Sequence, residues 1–155
     1  MPPPYVVDAS TWIDIGRFHP RDIFVTLWQR LDALIVAGNL VSPEDVLREL
    51  ERGDDDLAEY LGTKAGLFLL LDQAQQAAVA EVLLACPTLA DAEGERNRAD
   101  PFVVALARLR GGTVVTQERS RGGATGRYSI PDACARFAIP CLRWFDFLRE
   151  VGWQL

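Results

Sequence analysis

Histidine is almost missing from this chain: His19 is the only one in 155 residues. A Ser–His–Asp machinery is therefore not expected, and His19, lying before Pro20, reads as a surface turn residue rather than a ligand. Cysteine is scarce too. Cys86, Cys134 and Cys141 form an odd set without metal-type spacing, which indicates buried free thiols in a reducing cytosol. Lysine is nearly absent, because 15 of the 16 basic residues are arginine. Arginine suits bidentate phosphate contacts, although a GC-rich genome would give the same excess. No apolar run approaches the ~20 residues of a membrane-spanning helix. The start, Met1-Pro2-Pro3-Pro4, has no basic region and leads straight into a strand, unlike a secretory signal. A cytoplasmic protein that keeps off membranes is the expectation.

Apolar side chains make up 49% of the residues, enough for a substantial core, and the simplest organisation is one domain over residues 1–155. The net charge of −6 argues against a general polyanion binder. That average hides an asymmetry. Residues 1–95 carry 6 basic and 17 acidic side chains, whereas residues 96–155 carry 10 basic and 5 acidic. A cationic C-terminal part beside clustered carboxylates is what cleavage of a phosphate backbone requires; a solvated arginine surface would look the same.

Strand and helix signals alternate along the chain. Pro4–Asp8 reads as a buried strand, and residues 11–17 as a short helix ending at Gly16. From Asp22, the positions Ile23, Phe24, Leu27, Leu31, Leu34 and Ile35 recur at helical spacing, with a stop near Gly38-Asn39. Ser42-Pro43-Glu44-Asp45 reads as a helix start with Ser42 as cap, and that helix ends by Gly53. Asp54-Asp55-Asp56 caps a further helix through Leu61, and residues 64–85 are helical in composition up to Pro87. Ala90–Arg98 reads as an exposed connection, Pro101–Arg110 as a helix stopped by Gly111-Gly112, and Thr113–Thr116 as a buried strand. Gln117–Tyr128 is a glycine- and arginine-rich loop, Ala138–Leu142 a last strand and Trp144–Val151 a last amphipathic helix. This alternation indicates an α/β fold with a mainly parallel sheet, whose ligands bind beyond the carboxyl ends of the strands.

Four acids stand at or near element ends: Asp8, Glu49, Asp100 and Asp132. Brought together, such carboxylates suit a hard divalent cation such as Mg²⁺. A carboxylate closing a buried strand, as Asp8 does, is costly unless paired or metal-bound. Asp100, before Pro101, also fits a helix N-cap, as does Asp132 before Ala133. Glu49 and Glu51 flank the same apolar stripe, and helical geometry does not choose between them. Ser10 and Thr116 are placed to orient carboxylates or metal-bound water, or simply to bond nearby backbone. The Arg119–Arg127 loop lacks the Walker spacing and its lysine, so an NTP site is rejected. Trp144, Phe145, Phe147 and Trp153 suggest a core cluster, with an oligomer or partner-protein surface as the alternative.

Four segments resemble the PIN-domain nucleases, and among them the VapC-like toxins of bacterial toxin–antitoxin pairs. Tyr5-Val-Val-Asp8-Ala-Ser10 is similar to that family's first strand and its opening Asp. Ser42-Pro-Glu-Asp-Val-Leu-Arg-Glu49 is similar to the helix carrying its Glu. Ala99-Asp100-Pro-Phe-Val-Val-Ala resembles the helix that begins with the third acid, and Val114-Val115-Thr116 the strand before the fourth. The insertion-like region 54–95 and Ile130-Pro-Asp132 resemble a less characterised PIN-related subfamily. The resemblance implies a three-layer α/β/α sandwich, one or two Mg²⁺ or Mn²⁺ ions, and RNA as substrate. It favours Glu49 over Glu51. Where many relatives have the fourth acid, this chain has Gln117-Glu118, so Asp132 is preferred to Glu118 for that role. Arg119, Arg121 and Arg127 are then expected to contact RNA phosphates, and a cognate antitoxin or a second copy of the chain to be protein partners. Two other functions compete with an endoribonuclease. One is a PIN-like module that binds RNA or a partner without cleaving. The other is a haloacid-dehalogenase-type phosphohydrolase, disfavoured because Ser10 stands where that family places a second acid.

Overall fold

The computed structural model describes residues 2–90, 99–122 and 126–155. Its first half runs β1 (Tyr5–Val7), α1 (Ala9–Phe18), α2 (Val25–Val36), β2 (Leu40–Pro43), α3 (Glu44–Gly53), α4 (Asp55–Gly62) and β3 (Phe68–Leu69). There follow α5 (Gln73–Ala85), a 3₁₀ turn at Pro87–Leu89, α6 (Asp100–Arg110), β4 (Thr113–Val115), α7 (Ile130–Arg136), β5 (Cys141–Leu142) and α8 (Trp144–Val151). The strands form a five-stranded, all-parallel sheet in the order β3-β2-β1-β4-β5. Helices cover both faces, so the architecture is the expected three-layer α/β/α sandwich.

Register and side-chain alternation explain the layers. Tyr5 lies opposite Leu40 and Thr113, and Val6 opposite Val41 and Val114. Tyr5 and Val7 point to the face covered by α1, α2 and α8, where Val7, Trp12, Ile15, Leu31, Leu40 and Phe147 meet. α4 extends this layer, with Tyr60 edge-on to Trp28 of α2 at 5.6 Å. The opposite face carries α6, packed across β1, β2 and β4 and flanked by α5 and α7. Val6, Val114, Val103 and Val104 are fully buried, as the short two-sided strands of a parallel sheet require.

Several elements depart from the sequence expectations. Residues 40–43 are a strand rather than the approach to a cap. Ser42 is buried inside the sheet, donating to the Val7 carbonyl at 2.7 Å and accepting from Trp12 Nε1 at 3.0 Å. Pro43 occupies the cap position and α3 opens at Glu44. Residues 64–85 are not one helix: Ser42 and Pro43 pair with Phe68 and Leu69, and α5 starts only after Asp72 caps the Gln75 N–H at 2.7 Å. α1 continues through Gly16 to Phe18, where a side chain at Gly16 would press on Leu57 of α4. The strand expected over 138–142 is confined to Cys141–Leu142. α8 has the expected bounds. α6 stops where expected, with Gly111 at φ 62°. A side chain at Gly112 would collide with the Pro4 carbonyl, the acceptor of the Thr113 N–H.

The loop expected over 117–128 holds no helix or strand among its described residues. The connection expected over 90–98 lies, beyond Ala90, outside the described residues. His19 is no isolated turn residue: its ring packs edge-on against Phe24 and Trp144. Of the C-terminal aromatics, Trp144 and Phe147 are core, Trp153 is half-buried and Phe145 is exposed. No helix among the described residues is long and apolar enough to cross a membrane.

Candidate functional site

The strand order reverses beside β1: the chain moves outward through β2 and β3, then returns to place β4 on the other side of β1. At such a switch point the connections diverge and leave a crevice beyond the carboxyl ends of the strands. Asp8 immediately follows β1 and Thr116 immediately follows β4. The Asp8 N–H extends the ladder to the Val115 carbonyl at 3.2 Å.

Asp8 is almost fully buried and all its hydrogen bonds are local to this crevice. One oxygen accepts the Thr11 N–H at 2.9 Å, capping α1. The other accepts the Ser10 hydroxyl at 2.7 Å and the Thr116 hydroxyl at 2.6 Å. Both hydroxyls singled out in the sequence therefore reach this carboxylate. Burial raises the Asp8 pKa, and the donors from Thr116, Thr11 and Ser10 pull against it.

Three further carboxylates are brought toward Asp8 by separate elements. Glu49, on α3, accepts the Ala99 N–H at 2.9 Å and so ties α3 to the start of α6. Its neighbour Glu51 is exposed, which resolves the ambiguity left by helical spacing. Burial raises the Glu49 pKa, opposed by the Ala99 N–H and reinforced by Asp8 and Glu118. Asp100 is the first residue of α6 and is buried, and Ala99 holds the N-cap position, so the simple cap explanation does not apply. Its pKa is driven far up by burial and then by the charges of Glu118, Asp8 and Glu49. Glu118 accepts the Ile130 N–H at 2.9 Å. Burial raises its pKa, the Ile130 N–H opposes that, and the charge of Asp8 adds to it. Buried carboxyl groups this close repel one another unless a proton or a cation neutralises them.

The cluster is thus Asp8, Glu49, Asp100 and Glu118. All its donors are oxygens, the chemistry a hard divalent cation takes, and the mutual repulsion of the acids favours positive charge among them. The spacing does not by itself close around an ion. Among the described residues, no three His, Cys, Asp or Glu side chains are arranged to hold a metal as they stand. Hydrogen-bond donors engage both oxygens of Asp8 and one each of Glu49 and Glu118.

A family model, described as a domain of unknown function (DUF4411), matches residues 5–155, nearly the whole chain. The chain belongs to this family. No curated protein matches it.

In this DUF4411 chain Asp132, expected as the fourth acid, belongs to a different local structure. It sits in the first turn of α7, where Ser129 and Asp132 form a capping box. It accepts from the Ser129 N–H and hydroxyl, the Arg121 and Gly122 N–H groups and the Ser120 hydroxyl. Desolvation raises its pKa, but the donors from Ser120, Ser129 and Arg121 together outweigh it and hold the pKa well below the usual carboxylate range. Its carboxylate pins the loop to α7. The signal for Glu118 was its position two residues past Thr116, at the mouth of β4.

The arginines divide. Arg121 lies close enough to Glu118 for its charge to favour the carboxylate. Arg119 lines a hollow of about 300 Å³ with Thr116, Glu118, Cys141 and Arg143. Arg127 is exposed further along the loop. Gln117 was not foreseen as a positioning residue. Its amide bonds Asp14 at 3.2 Å and the Trp144 N–H at 2.9 Å, and its backbone N–H bonds Ser10 at 3.2 Å, bracing the loop against α1 and α8.

Proposed function

We propose that this chain is a divalent-metal-dependent endoribonuclease, similar in plan to the PIN-domain nucleases, and the toxin of a toxin–antitoxin pair. The observation that carries this is the convergence of four carboxylates from four elements on the crevice between β1 and β4. Asp8, Glu49, Asp100 and Glu118 are the residues that would hold Mg²⁺ or Mn²⁺. Such an ion supplies water of lowered pKa and neutralises charge on phosphoryl oxygens. Ser10 and Thr116 fix the orientation of the Asp8 carboxylate. Glu49, through Ala99, keeps α6 docked so that Asp100 enters the crevice. Arg119 and Arg121, next to Glu118, bind phosphates flanking the scissile one, and Arg127 extends that contact along the strand. No covalent intermediate on the protein is required.

The test is purified, antitoxin-free protein incubated with a pool of cellular RNAs and Mg²⁺ or Mn²⁺, with an EDTA control. Discrete cleavage that disappears in EDTA and in Asp8→Asn is expected. Silence on the full pool, with metal demonstrably bound, would overturn the catalytic proposal. It would favour the second reading, a module that binds RNA or a partner without cutting it. That reading is supported by the hydrogen bonds engaging both Asp8 oxygens and by the absence of a ready three-ligand set among the described residues.

A further inference from the structure

Arg143 has no part in the carboxylate cluster, yet the sheet delivers it to the same edge. It is the first residue after β5, and the Thr116 N–H bonds the carbonyl of the preceding Leu142 at 2.9 Å. β5 pairs in parallel with β4, so Arg143 emerges one strand spacing, ~4.8 Å, from the strand that Thr116 follows. Residues beyond both carboxyl ends line the hollow of about 300 Å³. Thr116 and Glu118 belong to the hollow and to the crevice, so the two adjoin. Arg119 and Arg143 supply the hollow with two cations, and Pro131 and Leu142 supply apolar surface. Arg48, Lys64, Arg108 and Arg149 are paired with carboxylates elsewhere on the molecule. Arg119 and Arg143 form no ion pair or side-chain hydrogen bond with any described residue, although four acids stand nearby. Their guanidinium donors are free for the anionic oxygens of a ligand.

We propose that this hollow seats one nucleotide of the RNA strand, next to the phosphate at the cluster, with Arg119 and Arg143 on its phosphate and its base on Pro131 and Leu142. The walls select that chemistry. Two cations exclude a metal ion and favour an anion. The apolar side and the volume exceed what a bare phosphate uses and match a small-molecule site. A nucleotide joins an anion to a flat, weakly polar ring, which is the combination the walls present. A paired strand keeps its bases inside the stack, whereas the hollow takes a base turned out of it, so the substrate at this point is single-stranded. The inference rests on the nuclease reading and deepens it: the strand runs from the cluster across the end of β4 toward β5, and Arg143 joins the residues that hold it.

The experiment titrates the isotope-labelled full chain, in EDTA, with adenosine monophosphate, adenosine and inorganic phosphate, and follows the amide NMR signals. Shifts should concentrate on Thr116, Glu118, Arg119, Leu142 and Arg143. The nucleotide should bind at least roughly ten-fold more tightly than phosphate or adenosine, because linked contacts share one loss of freedom. Arg143→Ala should weaken the nucleotide roughly five-fold, as the loss of one exposed ion pair. The Arg143 side chain makes no cap bond to α8, so the helix survives the change. Arg119→Ala should act in the same direction, and Arg136→Ala, at the opposite end of α7 from Pro131, should bind as the parent does. With Mg²⁺ and a single-stranded RNA, Arg143→Ala should raise KM roughly five-fold and leave kcat within about two-fold. Phosphate binding as tightly as the nucleotide would overturn the base seat. Shifts confined to other surfaces, or none at millimolar nucleotide, would overturn the site. Cleavage with an unchanged KM in Arg143→Ala would remove this subsite and leave the nuclease reading standing. Nucleotide held in the hollow without cleavage of the full RNA pool would remove the nuclease reading and leave the hollow as a nucleotide site.

Discussion

Asp8 and Asp132 are both in helix-capping structures, and hydroxyl and amide donors surround both, yet the two carboxylates belong to opposite electrostatic regimes. Asp132 stands partly in solvent with five donors and, among the described residues, no acid shifting it, and its pKa is held down. Asp8 is buried, with Asp100, Glu49 and Glu118 close enough to feel its charge, and its pKa is pushed up despite three donors. A satisfied carboxylate stabilises a fold. A crowded, desolvated one costs stability and is kept where that charge serves another purpose.

Activity should separate the two regions most widely. Asp8→Asn and Asp100→Asn should lower divalent-dependent RNA cleavage by roughly two orders of magnitude or more, as should Glu118→Gln. Asp132→Asn, assayed well below its melting temperature, should retain cleavage within a few-fold. Equal losses in Glu118→Gln and Asp132→Asn would erase the distinction drawn between them.

Metal binding should appear as stability. An ion present at about 100 times its dissociation constant adds about 2.7 kcal/mol, which for a chain of this size is roughly 5–10 °C in Tm. Thermal melts with Mn²⁺ and with EDTA should show that shift in the wild type and in Asp132→Asn, but not in Asp100→Asn. An unchanged wild-type midpoint across millimolar Mn²⁺ would count heavily against the cluster as a metal site.

Without metal, the same substitutions should act in opposite directions. Asp132→Ala should cost about 2 kcal/mol, because it removes a cap and leaves loop N–H groups without their acceptor. Asp100→Asn should be neutral or stabilising by about 1 kcal/mol in urea titrations with EDTA, since it relieves a buried like-charge contact. Destabilisation by Asp100→Asn comparable to that of Asp132→Ala would mean the cluster is a hydrogen-bonded structural network.

The pH dependence follows from the signs of the shifts. Asp8, Glu49, Asp100 and Glu118 have raised pKa values, so the folded state holds protons that the unfolded chain has lost. Their stabilising contribution is full below the ordinary carboxylate range and declines as pH rises through the folded-state values. Asp132 has a lowered pKa, so its contribution is present above that range and is lost as pH falls through its folded-state value. Midpoints in EDTA should therefore fall with rising pH in the wild type, and less steeply in Asp100→Asn. Asp132→Asn should instead flatten the acid limb.

The smallest effect concerns the loop that Asp132 pins. Replacing Arg119, Arg121 and Arg127 by alanine should reduce the log–log salt slope of RNA binding by about 2, at ~0.7 per phosphate contact on a single strand. Metal-dependent melting should be unaffected. A salt slope equal to that of the parent would remove these arginines from the RNA path.

Local sequence was informative wherever one segment held its own instructions. α8 carries an amphipathic stripe, α6 has Asp100-Pro101 at one end and Gly111 at the other, and β1 and β4 are β-branched runs closed by polar residues. These signals sufficed for an α/β fold with a mainly parallel sheet and for placing Asp8 and the segment after Thr116 at the carboxyl ends of strands; the sandwich followed from the family resemblance. β2 and β3 were not legible, because Leu40-Val41 and Phe68-Leu69 are too short to show a period. They are strands only because neighbouring backbones offer a ladder. Glu118 and Asp132 could not be separated in sequence either, since each is an acid near a turn. Only the return of the loop onto α7 binds Asp132 to the loop N–H groups, while Glu118 lies near Asp100. Patterning and caps act over a few residues and can be read along the chain. Burial and like-charge repulsion arise between residues far apart in sequence, so the tertiary structure alone decided that Glu118 stands with Asp8, Glu49 and Asp100.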